Sequence, residues 1–147
     1  MDVKIKRLNV EACVPTRGSE KAAAYDIYAC LTEEKRQATI PPHNTVIVGT
    51  GLCMAPPEGY FIGIYARSGL STREGLRPAN CVGVCDEDYR GEYKVALHND
   101  SDEPRIIRHG DRIAQIILQE RFDMEFSIVD ELDDTKRGEG GFGSTGN

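Results

Sequence analysis

Two short segments carry residue types that could bind a phosphorylated ligand. Arg67-Ser68-Gly69 offers a cation, a hydroxyl and a glycine. Arginine donates charge-assisted hydrogen bonds to phosphate, and glycine lets a phosphate approach the backbone. A strand is predicted before the triplet and a short helix after it, so the first helical N–H groups would also face an anion. Alone, the triplet is weak evidence for a phosphate-binding site, because most such triplets are simple turns.

The second segment, 83–91, combines a strand end with three acids, Asp86, Glu87 and Asp88. Carboxylates in one turn repel each other, which raises the pKa of one of them. A carboxylate next to an electrophile can act as a general base toward water. The simpler interpretation is a solvated acidic hairpin tip.

The glycine-rich end of the chain, 137–146, contains Arg137, Phe142, Ser144 and Thr145. Backbone N–H groups and hydroxyls in such a segment can surround an oxyanion. The segment lacks the G-K-S/T ending of a Walker loop, and no strand precedes it, which excludes a P-loop, a Rossmann fingerprint and a kinase loop. A frayed terminus is the alternative on composition alone.

The thiols and imidazoles do not form a metal-binding pattern. The odd number of cysteines predicts free thiols in a reducing compartment that pack as small hydrophobic residues. The three histidines are scattered without ligand spacing. The five cysteines are Cys13, Cys30, Cys53, Cys81 and Cys85.

Most of the chain reads as short β-strands that would position these segments. Apolar residues recur with a period of two at 60–64 and 93–97, and β-branched runs occupy 45–48 and 113–118. Pro, Gly, Asn and Asp clusters separate them, which predicts an all-β barrel or sandwich. Segment 68–75 is the one helical candidate, with a capping-box pattern from Ser71 and a final glycine.

Composition restricts the function classes. The 147 residues are enough for one domain. A net charge of −6 argues against non-specific binding to nucleic acid or anionic membranes. No stretch has the length of a membrane span or the apolar core of a signal peptide, so we expect an intracellular protein, cytoplasmic or nuclear.

Five segments, in this order and spacing, resemble those of trimeric dUTP diphosphatases. They are A-A-Y-D-I-Y at 23–28, A-R-S-G-L-S at 66–71, the stretch 80–91, G-D-R-I-A-Q at 110–115 and R-G-E-G-G-F-G-S-T-G at 137–146. Each segment alone is weak to moderate evidence for this family, whereas the five segments in order are strong evidence. The family usually has Ile or Leu at the position of Cys85, which places a thiol next to the presumed base.

The resemblance implies a dUTPase-like β-barrel or jelly-roll with one short helix, which hydrolyses dUTP to dUMP and pyrophosphate with Mg²⁺. Asp86 would be the general base, Tyr89 would reject ribose, and Asp26 would hold Mg²⁺ through water. A hairpin from Asn80 to Lys94 would select the base. The remaining substrate-binding residues would be Arg67, Ser68, Gly69, Asn80, Gly83, Val84, Cys85, Lys94, Gln115, Arg137, Phe142, Gly143, Ser144 and Thr145.

The resemblance also implies a homotrimer with three shared active sites. Residues 1–132 would form the barrel, and residues 133–147 would form a flexible arm that closes over the substrate. The partners would be dUTP and two further copies of the chain, without nucleic acid or membrane. Three alternatives stay open on the sequence: a dCTP deaminase relative, a nucleotide-sensing regulatory protein, and a structural jelly-roll protein.

Overall fold

The computed structural model describes residues 1–141, which contain twelve strands and one helix. The first six strands are β1 (Lys4–Arg7), β2 (Thr16–Arg17), β3 (Tyr25–Tyr28), β4 (Gln37–Ile40), β5 (Thr45–Gly49) and β6 (Leu52–Ala55). They are followed by β7 (Tyr60–Tyr65), α1 (Ser68–Glu74), β8 (Leu76–Pro78), β9 (Gly83–Cys85), β10 (Lys94–Asn99), β11 (Arg105–Arg108) and β12 (Arg112–Glu120). The prediction of an all-β fold with one short helix is confirmed.

The strands form four antiparallel sheets. The largest has the order β2-β3-β12-β7-β9, and a second has the order β5-β10-β8. Two ribbons, β1-β6 and β4-β11, complete the described structure. In the largest sheet, β12 lies between β3 and β7, so three segments that are distant in the sequence become neighbours.

The core follows the period-two pattern of the sequence. Ile62 and Ile64 of β7 are buried, and so are Val95 and Leu97 of β10, because alternate side chains of a strand share one face. Burial of a side chain of this size contributes about 1.5–3 kcal/mol to stability. These side chains form one hydrophobic cluster with buried side chains of β3, β4, β5, β6, β8, β11 and β12.

The helical segment predicted from the sequence, 68–75, matches α1 and its final glycine, but the capping box from Ser71 does not form. Ser71 lies inside α1, and its hydroxyl donates back to the carbonyls of Arg67 (3.1 Å) and Ser68 (3.3 Å). This back-bonding is a known alternative to capping for serine. The predicted glycine end is confirmed, because Gly75 has φ 67° and its N–H bonds to the carbonyl of Leu70.

All five cysteines are free, as the odd count predicts. None of them is fully buried, so the expectation of buried packing is wrong: Cys13 and Cys81 are exposed, and the other three are half-buried. Among residues 1–141, no helix is both long enough and apolar enough to cross a membrane.

Candidate active site

Asp26 is held between two arginines at one end of the largest sheet. Its Oδ1 accepts a hydrogen bond from Arg67 Nε at 2.8 Å, and its Oδ2 accepts one from Arg112 Nη1 at 3.2 Å. Arg67 Nη1 also donates to the carbonyl of Arg112 at 3.2 Å. The Asp26 side chain is only 12% exposed, whereas that of Arg112 is 51% exposed. Two guanidiniums against one carboxylate leave one net positive charge facing solvent.

The register of the sheet brings these residues together. Gln115 of β12 lies opposite Asp26 of β3 and opposite Tyr65 of β7. Its Nε2 donates to the carbonyl of Ala66 at 2.8 Å, which fixes the backbone immediately before Arg67. Arg67 is the cap residue of α1, with an extended backbone, so the chain turns into the helix at this point.

A cavity of about 460 Å³ opens at this cluster. Its polar lining comes from Asp26, Arg67, Ser68, Arg112 and Gln115, and the rest is lined by glycines, alanines and Ile117. Small residues leave the backbone accessible, and the guanidiniums supply charge-assisted donors. Chemically, the cavity is suited to bind a polyanion such as a phosphate chain. The structure therefore brings together Arg67, Ser68, Gly69, Gln115 and Asp26, as the sequence predicted.

Asp86 lies elsewhere, directly after β9 at the edge of the same sheet. It is exposed and lines a second cavity of about 610 Å³ together with Phe61, Val84, Glu87, Asp88 and Arg121. The N–H of Tyr89 donates to the carbonyl of Asp86 at 3.2 Å, which closes the acidic turn. An exposed carboxylate beside an open cavity has access to water, as a general base requires.

The predicted hairpin from Asn80 to Lys94 is wrong. β9 pairs with β7, whereas β10 pairs with β5 and β8, so segment 86–93 passes from one sheet to another. β9 nevertheless lies at the sheet edge, and its outer backbone groups do not pair within the described residues. Such an edge can offer main-chain donors and acceptors to a planar ligand.

The side chains around this edge have different environments. Gly83 is buried beside Asn80 and Ile64, and any Cβ at position 83 would lie 3.2 Å from the Asn80 amide nitrogen. Val84 is 60% exposed. Lys94 Nζ lies 3.5 Å from Glu92 Oε2, so its charge is partly compensated.

Tyr89 packs back over its own turn. Its hydroxyl donates to the carbonyl of Glu92 at 3.1 Å, and its ring lies so close to Gly91 that any Cβ there would collide with it. The half-exposed ring therefore has one face available to a ligand.

Burial raises the pKa of the Cys85 thiol to about 11, and the neighbouring Asp86 carboxylate adds to this shift. The thiol is thus neutral near pH 7. Cys85 packs against the hydrophobic core beneath the acidic turn.

A single chain does not join Asp86 to Arg67. The two cavities share no lining residue and lie toward opposite ends of β7. From Phe61, which lines the Asp86 cavity, to Tyr65, which ends the strand two residues before Arg67, the strand advances about 13 Å at roughly 3.3 Å per residue.

The glycine-rich end is described only as far as Gly141. Arg137 is exposed, and its Nε donates to the carbonyl of Gly140 at 2.7 Å within a local turn. It contacts neither cavity. The predicted ligands Phe142, Gly143, Ser144 and Thr145 lie outside the described residues.

The donor set does not cage a metal ion. Within residues 1–141, no three His, Cys, Asp or Glu side chains cluster closely enough to hold one. Both Asp26 oxygens already accept hydrogen bonds, but each retains a second lone pair that can accept one from a metal-bound water. This arrangement fits Mg²⁺ that keeps its waters and binds mainly to phosphates.

Arg112 is not among the site residues predicted from the sequence. The signal was its place in the segment that also contains Gln115, but the strand pairing decides that it faces Asp26. A neighbouring cavity of about 430 Å³, which shares Arg67 and Arg112, adds Arg73 and Arg108 together with Glu74 and Asp111. The two cavities together are lined by four arginines and three carboxylates, Asp26 among them, so this end of the sheet carries one excess positive charge.

Comparison with known proteins gives consistent matches. The dUTPase family model matches residues 10–146. The deoxyuridine 5'-triphosphate nucleotidohydrolase of Corynebacterium glutamicum is 45% identical over 145 residues, which are 98% of this chain and 94% of the relative. The enzyme of the same name from Yarrowia lipolytica is 47% identical over 148 aligned positions, which cover 99% of this chain and 90% of the relative. A mutant dUTPase of Staphylococcus bacteriophage 80alpha, solved with dUpNHpp, superposes with a TM-score of 0.86 at 25% identity and 99% coverage of both chains.

Proposed function

The chain belongs to the dUTPase family, and from this membership we infer that it hydrolyses dUTP to dUMP and pyrophosphate. The reaction keeps uracil out of DNA and supplies dUMP for thymidylate synthesis. The observation that carries the function is the identity of 45–47% over nearly the whole chain to two nucleotidohydrolases of this name. A deaminase, a purely regulatory protein and a structural protein are not favoured.

We propose that the Asp26 cavity binds the phosphates. Arg67 and Arg112 neutralise their charge, and Ser68 and Gly69 approach the oxygens near the scissile bond. Gln115 binds a phosphate or the attacking water. Support comes from the net positive charge of the cavity and from the fixed backbone around Arg67. Donors that are already in place stabilise charge that develops in the transition state.

Asp86 is proposed as the general base that orients and deprotonates the water attacking the α-phosphorus. Its carboxylate is exposed beside an open cavity, and the turn that carries it is closed by a backbone hydrogen bond. A base of this kind typically contributes a factor of about 10²–10⁴ to the rate.

We propose that the β9 edge selects the base and the sugar. Main-chain groups of Gly83, Val84 and Cys85 would pair with the uracil edge, with Asn80 and Lys94 at the two ends of the segment. A cytosine presents a reversed donor pattern and would leave buried groups unpaired, which makes discrimination steep. Tyr89 would lie under the deoxyribose and collide with a ribose 2′-hydroxyl.

A homotrimer with three shared sites is proposed because one chain keeps Asp86 and Arg67 apart. A second observation supports the association of copies. After β12, the apolar side chains Phe122, Met124, Phe126 and Ile128 alternate with polar ones, and each is at least 73% exposed. Alternation is typical of a strand with one buried face. We propose that a neighbouring copy of the chain covers this apolar face.

The arm, residues 133–147, is proposed to close over bound substrate. Arg137 would bind the γ-phosphate and Phe142 would stack on uracil, with Gly143, Ser144 and Thr145 as further phosphate donors. Ordering about ten residues costs on the order of 10 kcal/mol of backbone entropy, so a full set of ligand contacts is needed to offset it. A full triphosphate would therefore close the arm better than dUDP or dUMP.

Mg²⁺ is the proposed cofactor, and when bound it would neutralise phosphate charge and assist departure of pyrophosphate. Asp26 would accept a hydrogen bond from one of its waters. A cytoplasmic or nuclear location is proposed as well, because five free cysteines fit a reducing compartment.

Pyrophosphate release from dUTP, dCTP, dTTP and UTP, each with Mg²⁺, tests the function directly. We expect release from dUTP alone at a substantial rate. Ammonia release from dCTP would instead identify a deaminase, and binding of dUTP without turnover would identify a sensor.

A further inference from the structure

A fully buried tyrosine lies directly behind the side chain proposed to select the sugar. Tyr93 is 0% exposed and is the largest fully buried side chain of the described residues. Its ring centroid lies 5.9 Å from that of Tyr89, and the two ring planes are tilted by 50°. Offset and tilted aromatic pairs at this distance attract each other beyond simple burial.

The two rings differ in how firmly they are held. The N–H of Tyr93 donates to the carbonyl of Leu52 at 2.8 Å, and the Tyr93 carbonyl accepts the buried Thr50 hydroxyl at 2.7 Å. Tyr89, by contrast, is 44% exposed and stands on a turn, where its hydroxyl donates to the carbonyl of Glu92 at 3.1 Å. Tyr93 is therefore anchored in the core, whereas Tyr89 is held by its own turn and by its contact with Tyr93.

The Tyr93 ring contacts Tyr89 without any hydrogen bond from the Tyr93 hydroxyl. Within residues 1–141, the Tyr93 Oη is the one buried side-chain oxygen or nitrogen without a hydrogen-bond partner. Burial raises the pKa of this phenol, and Cys85 next to Asp86 adds to the shift, so the group stays neutral. Removing the oxygen alone would leave the aromatic contact intact.

We propose that Tyr93 is a positioning residue for sugar discrimination, whose ring supports Tyr89 at the height at which it excludes a ribose 2′-hydroxyl. The inference rests on the proposed function, in which Tyr89 lies under the deoxyribose. A shorter side chain at 93 would let Tyr89 sink toward the core and make room for the extra oxygen.

The test compares Tyr93→Leu with Tyr93→Phe by the ratio of kcat/KM for dUTP to that for UTP. An aromatic pair is worth about 0.5–1.5 kcal/mol, so Tyr93→Leu should lower the ratio by roughly 2- to 13-fold, mainly through a lower KM for UTP. Tyr93→Phe keeps the ring and should leave the ratio within about twofold. Tyr93→Met serves if the leucine variant does not fold.

Leu97→Ala provides the control for stability, because Leu97 is equally buried and lies four residues further along the chain, on β10 opposite Val46 of β5 and Pro78 of β8. It should lower the melting temperature without changing the dUTP/UTP ratio. An unchanged ratio in Tyr93→Leu or Tyr93→Met would overturn the inference, and so would an equal loss in Tyr93→Phe. If Tyr89→Ala leaves the ratio unchanged, the proposed role of Tyr89 fails instead, independently of Tyr93.

Discussion

Two inactive variants of this chain should restore each other's activity when they are assembled together. Arg67→Gln removes a cation from the proposed phosphate cavity, and Asp86→Asn removes the proposed base. The two residues line separate cavities and lie toward opposite ends of β7, so in the proposed trimer one complete site would take Arg67 from one copy and Asp86 from another. Each variant alone should retain about 1% of the activity or less, on the usual scale for such groups.

The recovered activity follows from threefold symmetry. In the proposed trimer, each site would join Arg67 of one copy to Asp86 of the next copy around the ring. In a random assembly of equal amounts, about half of the sites have an intact Arg67, and about half of those also have an intact Asp86. About a quarter of the sites are then unmodified, and recovery varies as the product of the two fractions, with its maximum at equal amounts.

The assay is pyrophosphate release after the two variants are unfolded together and refolded at several ratios. A mixture of Arg67→Gln with Gln115→Ala is the matched control, because Gln115 lines the same cavity as Arg67. That mixture cannot rebuild a site and should stay at the residual level.

The shared site would be refuted if the mixture of Arg67→Gln and Asp86→Asn were only as active as the two separate variants added together. Recovery in the control mixture would also contradict the reasoning, since it would mean that Arg67 and Gln115 act in different copies.

Three further predictions concern single features. Asp86→Asn should bind dUTP normally, as measured by calorimetry, and its kcat should fall by about 10²-fold or more. If Asp86→Asn kept near-normal turnover and Asp88→Asn did not, the general base would be Asp88 and not Asp86. Deletion of residues 136–147 should barely change the melting temperature, because residues 136–139 are exposed, yet it should abolish most activity; full activity would favour a frayed terminus. The pKa of Cys85 is raised from 9.0 to about 11, so in the folded protein its alkylation by iodoacetamide should be slow at pH 8 and accelerate only above about pH 10. Mass spectrometry measures the rate of labelling at each cysteine. Labelling of Cys85 as fast as that of the exposed Cys13 would contradict this prediction.

Local patterns predicted the longer strands, β5, β7, β10 and β12. The alternation at 60–64 and 93–97 predicts the buried faces of β7 and β10, because side chains alternate across a strand whatever its partner is. The ordered motifs likewise identified the family and most residues of the proposed phosphate cavity, since Arg67-Ser68-Gly69 and Gln115 are recognisable as residue strings.

Pairing between distant strands was decided only by the tertiary structure. Backbone hydrogen bonds are the same for every residue type, so periodicity says which face is buried but not which strand lies alongside. For this reason the segment from Asn80 to Lys94 resembled a hairpin, although β9 pairs with β7 and β10 pairs with β5 and β8.

The sequence alone thus predicted the strands β5, β7, β10 and β12, the motifs and the family. The tertiary structure decided that Arg112 faces Asp26, that Tyr93 lies behind Tyr89, and that β7 separates Asp86 from Arg67. Each of these relations joins residues through packing or pairing in space. Their geometry depends on the register of neighbouring strands and on the filling of one shared core, which no local run of residues specifies.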